Sequence, residues 1–120
     1  MKLISWNVRC LGRVEKRRHI KLLLKTKGAD MVFFQESKQS DISIMFVKSL
    51  WPGDDIDFKV VDSDGAARGL LCIWKTSVIN LTQCCYTRNC IFLSGTLLPD
   101  FDCVVVNIYA PNDVSKREKF

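Results

Sequence analysis

The hydrophobic positions in the first third of the chain predict a strand, a helix and a second strand. Residues 2–8 form a short β-type run, and between residues 13 and 27 the apolar Ile20, Leu23 and Leu24 recur at helical spacing. Gly28 then follows two lysines, as is typical after the C-terminal turn of a helix. Residues 31–34 are uniformly apolar, which indicates a strand buried on both faces.

A strand, a crossover helix and a second strand usually place the two strands parallel in one sheet. The carboxyl ends of parallel strands share one edge, where open α/β sheets gather ligand-binding groups. Asn7 ends the first predicted strand and Glu36 follows the second. We therefore expect these two polar side chains to converge on one site.

The rest of the chain changes from a helical to a β pattern. Asp41 is in position to cap a short helix that ends near Leu50, before a break at residues 51–53. Five β-rich runs separated by short turn signals then follow, at residues 58–61, 69–74, 78–86, 91–98 and 103–109. These runs predict a meander of antiparallel strands in a single domain with mixed sheet topology.

The last residues have the pattern of a helix start. Ser115 and Glu118 are spaced as in a capping box, yet the sequence ends at Phe120. A single helical turn is unstable alone because nucleation is unfavourable. We therefore expect residues 1–120 to be part of a domain whose C-terminal half is absent.

The net charge of +5 is unevenly distributed. Residues 13–27 carry seven lysines and arginines against Glu15 alone, and Arg17 and Arg18 lie in the middle of this cluster. The cluster has two interpretations: an ordinary solvated helix face, or a surface that attracts a phosphate backbone. His19 in the same segment is expected to be a surface residue.

Membrane and disulfide classes are not favoured. No stretch approaches the roughly 18 apolar residues that span a bilayer, and no secretion signal opens the chain. We therefore expect an intracellular protein in which all six cysteines are free thiols, structural in role and not zinc ligands.

Three segments together carry a resemblance to a known family. They are SWNVR at residues 5–9, QESK at residues 35–38 and YAPND at residues 109–113, with GLLCIW at residues 69–74 between them. In this order they resemble the endonuclease/exonuclease/phosphatase superfamily, and most of all the endonuclease domains of plant LINE-type retrotransposons. The resemblance covers the whole chain. It implies an α/β (α+β) DNase I-like four-layer sandwich of mixed β-sheets with outer helices, here reduced to about its first half.

The resemblance also implies roles for single residues. Glu36 matches the family's metal ligand, and a carboxylate is a ligand that suits Mg²⁺, with Mn²⁺ as a substitute. Asn7 matches the asparagine beside the metal that orients the phosphate or its nucleophile. Tyr109 matches the tyrosine directed at the scissile phosphate, where a phenol can stabilise developing charge. Asn112 matches a residue that contacts the substrate backbone, although it could equally form a turn.

Other family residues are absent from this sequence. The Gly-Asp-x-Asn segment, a further aspartate and the terminal Asp-His pair of the family do not occur, so catalysis by residues 1–120 alone is not expected. Cys10 and Arg68 stand where relatives commonly have glycine, which costs about 1 kcal/mol or more if the backbone there needs a positive φ.

These observations leave three functional hypotheses. The first is a Mg²⁺-dependent DNA endonuclease domain of retrotransposon origin, nuclear in location and inactive as this fragment. The second is a module that binds nucleic acid without cutting it, and the third is a phosphatase of the same superfamily. Because we expect roughly one sheet of the sandwich, its bare apolar face is also predicted to promote self-association.

Overall fold

The computed structural model describes residues 1–61, 69–87 and 89–108. The described part contains two helices and seven strands. In chain order they are β1 (Leu3–Asn7), α1 (Val14–Lys27), β2 (Met31–Gln35), α2 (Ile44–Lys48), β3 (Ile56–Val61), β4 (Leu70–Lys75), β5 (Ile79–Tyr86), β6 (Cys90–Leu97) and β7 (Phe101–Ile108).

The first sheet has four strands in the order β1-β2-β4-β3. Strands β1 and β2 pair in parallel, and their register sets Asn7 opposite Gln35. Strand β4 runs antiparallel to both of its neighbours, β2 and β3. The predicted parallel pair is confirmed, and the carboxyl ends of β1 and β2 meet at one edge.

Helix α1 links these two strands and packs on the sheet through Ile20 and Leu24, which are fully buried. It ends at Gly28, whose φ of 64° is a left-handed conformation that glycine adopts without strain. The amide of Gly28 donates to Lys25 O at 3.2 Å and that of Ala29 donates to Leu24 O at 3.1 Å. The predicted end of the helix is therefore confirmed.

Helix α2 begins later than the sequence predicts. Ser43 caps it, accepting a hydrogen bond from the amide of Phe46 at 3.2 Å, and the helix ends at Lys48. Asp41 lies two residues earlier with a φ of 53°, so the prediction that Asp41 is the cap is wrong. A serine and an aspartate two positions apart both suit a cap, and spacing alone does not choose between them.

The second sheet is an antiparallel meander with the strand order β5-β6-β7, formed by the last three of the five predicted β runs. The first two runs, β3 and β4, pair antiparallel in the first sheet, so the predicted meander is divided between two sheets. The register of the second sheet shifts between Leu81 and Gln83, where β5 has a bulge against β6. Gly95 lies opposite this bulge, and a Cβ there would lie 2.0 Å from the carbonyl oxygen of Asn80. Glycine is therefore required at this point by the close approach of two backbones.

The interior contains two apolar clusters. One lies between the first sheet and its helices and includes Leu24, Phe34 and Trp51. The other lies between the two sheets and includes Phe33 and Leu93. The expectation of roughly one sheet with a bare inner face is therefore wrong, because the β-rich second half of the chain divides between two sheets that cover each other.

The outer face of the second sheet is different. Phe92 and Val104, on adjacent strands β6 and β7, are 40% and 63% exposed, and they belong to neither apolar cluster of the described residues. All six cysteines are free thiols, as expected. No helix in the described ranges is both long and apolar enough to cross a membrane.

Candidate cation site at the carboxyl edge of the first sheet

Asn7 and Glu36 meet at the carboxyl edge of the first sheet. The Asn7 Nδ2 donates a hydrogen bond of 2.7 Å to Glu36 Oε2. Glu36 is only 8% exposed, although it is ionisable and lies outside a strand. The convergence of these two side chains, expected from the strand order, is present.

The second carboxylate oxygen of Glu36 faces a cation. Glu36 Oε1 lies 3.9 Å from Lys38 Nζ, and the Lys38 side chain is one-third exposed, with a relative accessibility of 35%. Asn7 Oδ1 accepts a bond of 3.2 Å from the amide of Arg9. One carboxylate oxygen is thus held by an amide, while the other faces an ammonium group that solvent can reach.

The two loops that follow β1 and β2 have an unusual backbone. Arg9, Cys10, Glu36 and Lys38 all have positive φ, at 58°, 136°, 56° and 53°. Positive φ is uncommon for residues other than glycine, and such residues gather at functional sites where the surrounding structure holds them. The φ of Cys10 suits glycine far better than cysteine, in line with the glycine that the resemblance places there.

Backbone hydrogen bonds hold these loops together. The Val8 amide donates to Gln35 O and the Leu11 amide to Ser37 O, both at 3.0 Å. The Ser37 amide donates to Gly69 O at 3.1 Å, which ties the loop to the start of β4. Gly69 has a φ of 137°, and a Cβ there would lie 2.4 Å from Ser37 Oγ. The position of Glu36 therefore depends on glycine at residue 69.

The donor set at this edge is small and consists of oxygen atoms. Glu36 supplies one carboxylate and Asn7 one amide oxygen, and no group of three or more His, Cys, Asp or Glu side chains occurs among the described residues. Mg²⁺ usually takes one or two carboxylates and keeps several waters, whereas a structural zinc site needs four protein ligands. The residues present therefore fit a hydrated Mg²⁺ or Mn²⁺ ion and do not fit a zinc centre.

Two buried amides next to the site were not identified from the sequence. Gln35 Nε2 donates to Asn107 Oδ1 at 2.8 Å, and Asn107 Nδ2 donates to Phe34 O at 3.3 Å. Asn107 also contacts Cys72, whose thiol pKa is raised to about 12 by burial, an effect that the hydrogen bond from Asn107 partly opposes. The available signal was a polar residue at positions 35 and 107, each directly after a run of apolar residues, 31–34 and 103–106.

The two arginines singled out on the basic helix have different environments. Arg17 donates to Leu11 O at 2.7 Å and to Ser49 Oγ at 2.9 Å, and its guanidinium lies 4.7 Å from the Phe46 ring centroid. Arg18 is exposed and lines a shallow groove with Lys21, Lys25 and Pro52. Arg17 therefore holds the α1 and α2 segments together, and Arg18 is the more accessible of the two to a ligand.

Several predicted features lie outside the described residues. They are Tyr109, Asn112, the capping box at residues 115–118 and the turn that contains Arg68. The roles given to Tyr109 and Asn112 stay predictions.

Comparisons with known proteins connect this geometry to a fold. No family model matches the chain, and no curated protein sequence does. An AP endonuclease, LMAP, from Leishmania major matches with a TM-score of 0.69 and 16% identity, over 91% of this chain and 40% of that one. The catalytic domain of APE2 from Xenopus laevis matches with a TM-score of 0.65 and 15% identity, over 98% of this chain and 48% of that one. The chain therefore has part of the DNase I-like fold found in these endonucleases, and it spans less than half of their length.

Proposed function

We propose that this chain carries the cation- and phosphate-positioning half of a Mg²⁺-dependent phosphodiester hydrolase that acts on DNA. The observation that carries the proposal is the 2.7 Å hydrogen bond between Asn7 and Glu36 at the carboxyl edge of β1 and β2. Backbone strain in the two loops at this edge supports it, because positive φ recurs there in four residues other than glycine. The DNase I-like fold agrees with the proposal.

In this proposal Glu36 and Asn7 would hold Mg²⁺, with Mn²⁺ as a substitute. The ion would supply positive charge next to a phosphate oxygen. Asn7 orients the Glu36 carboxylate through its amide hydrogens and keeps its carbonyl oxygen near the same edge. The ammonium group of Lys38, 3.9 Å from Glu36, can pair with a phosphate oxygen that enters the site.

Tyr109 and Asn112 complete this half of the site in the proposal. Residue 109 directly follows β7, whose penultimate residue Asn107 is hydrogen-bonded to Gln35 next to Glu36. In the proposal the phenol of Tyr109 would stabilise charge on a phosphate oxygen, and the amide of Asn112 would contact the substrate backbone.

The basic surface of α1 is the proposed contact with DNA outside the site. Arg18, Lys21 and Lys25 line one groove beside Pro52, and a groove with three cations suits a phosphate backbone. Arg17 differs because its guanidinium is bonded within the protein. The Lys21 ammonium likewise donates to Lys48 O at 3.1 Å, so Arg18 and Lys25 are the cations of the proposed contact that are tested. Changing Arg18 and Lys25 to Ala should weaken DNA binding and reduce its salt dependence, whereas Arg17→Ala should mainly lower stability.

We further infer a retrotransposon origin and a nuclear location, both of which rest on the sequence resemblance. Residues 1–120 lack the Gly-Asp-x-Asn segment and the Asp-His pair that supply the water and base in that family. The chain alone is therefore proposed to bind DNA without turnover. The exposed face that carries Phe92 and Val104 is proposed to promote self-association.

Nicking of supercoiled plasmid in Mg²⁺ tests the proposed function. Residues 1–120 should bind the plasmid without nicking it, and a protein extended by the second half of such a domain should nick it. In the extended protein Glu36→Gln should abolish nicking, and Glu15→Gln, a change to an exposed carboxylate on α1, should not. Nicking that survives Glu36→Gln contradicts the proposal, and binding without nicking by the extended protein favours a non-catalytic DNA-binding module.

A further inference from the structure

A buried hydrogen-bond network joins the two sheets directly beneath the candidate site. Asn107 on β7 is 1% exposed and Gln35 on β2 is 9% exposed. Their side-chain amides are hydrogen-bonded at 2.8 Å, across the boundary between the sheets. Apolar side chains such as Phe33 and Leu93 pack between the sheets around it. At the exposed margin, Lys59 Nζ on β3 also lies 5.6 Å from the Tyr86 ring centroid on β5.

The Gln35 amide group also binds the first strand. Its Nε2 lies 3.0 Å from Ser5 Oγ on β1 and 3.4 Å from the backbone oxygen of Phe33 on its own strand. Ser5 and Asn7 lie on the same face of β1, because residues two apart in a strand point the same way. Gln35 lies on β2, the strand that precedes Glu36. Its side chain contacts β1, which carries Asn7, and β7 of the other sheet.

The Asn107 amide group completes the network in one orientation only. Its oxygen accepts from Gln35, and its nitrogen donates to Phe34 O at 3.3 Å and contacts Cys72 Sγ at 3.5 Å. Each polar partner is buried, so each bond is costly to remove singly. Apolar side chains could fill the same volume with little loss of stability, so the network is better explained by the geometry that it fixes.

That geometry is the position of the Asn7–Glu36 pair. Gln35 lies opposite Asn7 in the parallel register and directly precedes Glu36 in sequence. A change in the Gln35 rotamer or in the distance between the sheets would move both partners of the 2.7 Å bond. Apolar packing alone fixes the relative position of two sheets less precisely than paired hydrogen-bond donors and acceptors do.

We propose that Gln35 and Asn107 are a positioning pair, whose amide–amide hydrogen bond between the sheets holds Glu36 against Asn7 in the geometry that binds a divalent cation. The inference rests on the proposed function for the cation, but the positioning of Asn7 and Glu36 can be measured without it. Neither amide touches the cation or the substrate in this account. Both act through Glu36, as residues behind metal ligands commonly do.

The test uses the ¹⁵N-labelled chain and the double variant Gln35→Leu/Asn107→Leu, with Gln83→Leu on the exposed part of β5 as the matched control. Two readouts are the NMR signal of the Asn7 side-chain amide and the affinity for Mn²⁺ measured by paramagnetic broadening. Leucine fills the volume of each amide, so the double variant should unfold cooperatively. Its Mn²⁺ affinity should fall about tenfold or more, and the Asn7 side-chain amide signal should move towards that of an amide without the hydrogen bond to Glu36.

A folded double variant with unchanged Asn7 signal and unchanged Mn²⁺ affinity would overturn the proposal, because the network would then be merely structural. If the double variant does not fold, Gln35→Met/Asn107→Leu is the second choice, because methionine is longer and more adaptable than leucine and both partners of the bond are again removed together. It should shift both readouts in the same direction. A wild-type chain whose Mn²⁺ binding does not depend on Glu36 would instead contradict the proposed function, and the Asn7 signal would still decide the positioning role.

Discussion

The two sheets of this molecule are built from similar apolar strands but are covered differently. Every residue of β2 is buried, because helices pack on one face of the first sheet and the second sheet packs on the other. Strand β5 of the second sheet is exposed along most of its length. A strand covered on both faces must satisfy any polar side chain internally. A polar residue at the end of β2 therefore needs hydrogen-bond partners within the protein, whereas one on β5 can be hydrated by solvent.

The largest expected difference between the sheets is in the cost of removing a phenylalanine. Phe34 in β2 is fully buried, whereas Phe92 in β6 is 40% exposed. Phe34→Ala should lower the free energy of unfolding by about 3–5 kcal/mol, and Phe92→Ala by about 1 kcal/mol or less. Urea unfolding followed by circular dichroism measures both losses of free energy. Equal losses would contradict the difference in burial between Phe34 and Phe92.

The next largest effect concerns the glycine that fits against the site loop. Gly69→Ala introduces a Cβ 2.4 Å from Ser37 Oγ at a φ of 137°, and should cost about 2–4 kcal/mol. Gly28→Ala is the control, because Gly28 also has a positive φ but open space around its Cα, and it should cost about 1 kcal/mol. Thermal unfolding of the two variants compares them, and a smaller loss for Gly69→Ala would mean that the loop does not need this close approach.

Alkaline pH should lower the free energy of unfolding through the buried thiol of Cys72 in the first sheet, and not through the exposed Cys85 in the second. Burial raises the pKa of Cys72 from 9.0 to about 12, so its neutral thiol stabilises the fold fully below pH 9, and this contribution is lost as the pH rises towards 12. At pH 10 the loss should be roughly 1–2 kcal/mol. Unfolding free energies measured at pH 8 and pH 10 should differ less in Cys72→Ala than in wild type. Cys85→Ala, at an exposed position on β5, should retain the wild-type difference.

The smallest expected effect is on self-association through the outer face of the second sheet. Val104 is 63% exposed on that face, and Val104→Lys should weaken association about fivefold, or roughly 1 kcal/mol. Glu15→Gln on α1, which also raises the net charge by one, serves as the control for the change of net charge. Sedimentation velocity over a range of protein concentrations measures the effect, and a monomer at every concentration would show that this face does not self-associate.

Hydrophobic patterns in the sequence predicted much of the fold because they indicate whether one or both faces of a strand are buried. The continuous apolar run at residues 31–34 indicated burial on both faces, and Gly28 marked the end of α1, both as found. The pattern could not divide the later strands between two sheets, since pairing partners distant in sequence leave no local signal. It therefore missed that β4 pairs with β2.

The candidate site was predicted in part. The strand order alone was enough to bring Asn7 and Glu36 together, because parallel strands end at one edge. The bond between Gln35 and Asn107 joins residues 72 positions apart, and only the packing of the two sheets reveals it. The helix charge was also ambiguous, since sequence cannot show that Arg17 is bonded internally while Arg18 is exposed.

We propose that Glu36 and Asn7 form a divalent cation site at the carboxyl ends of β1 and the fully buried β2. Electron paramagnetic resonance of free Mn²⁺, titrated with the 120-residue chain, tests it most directly. The wild-type chain should remove one Mn²⁺ per molecule from the free pool. Glu36→Gln should abolish this uptake and Asn7→Ala should weaken it, while Glu15→Gln should leave it unchanged. Uptake that persists in Glu36→Gln, or no uptake by the wild-type chain, would contradict the account.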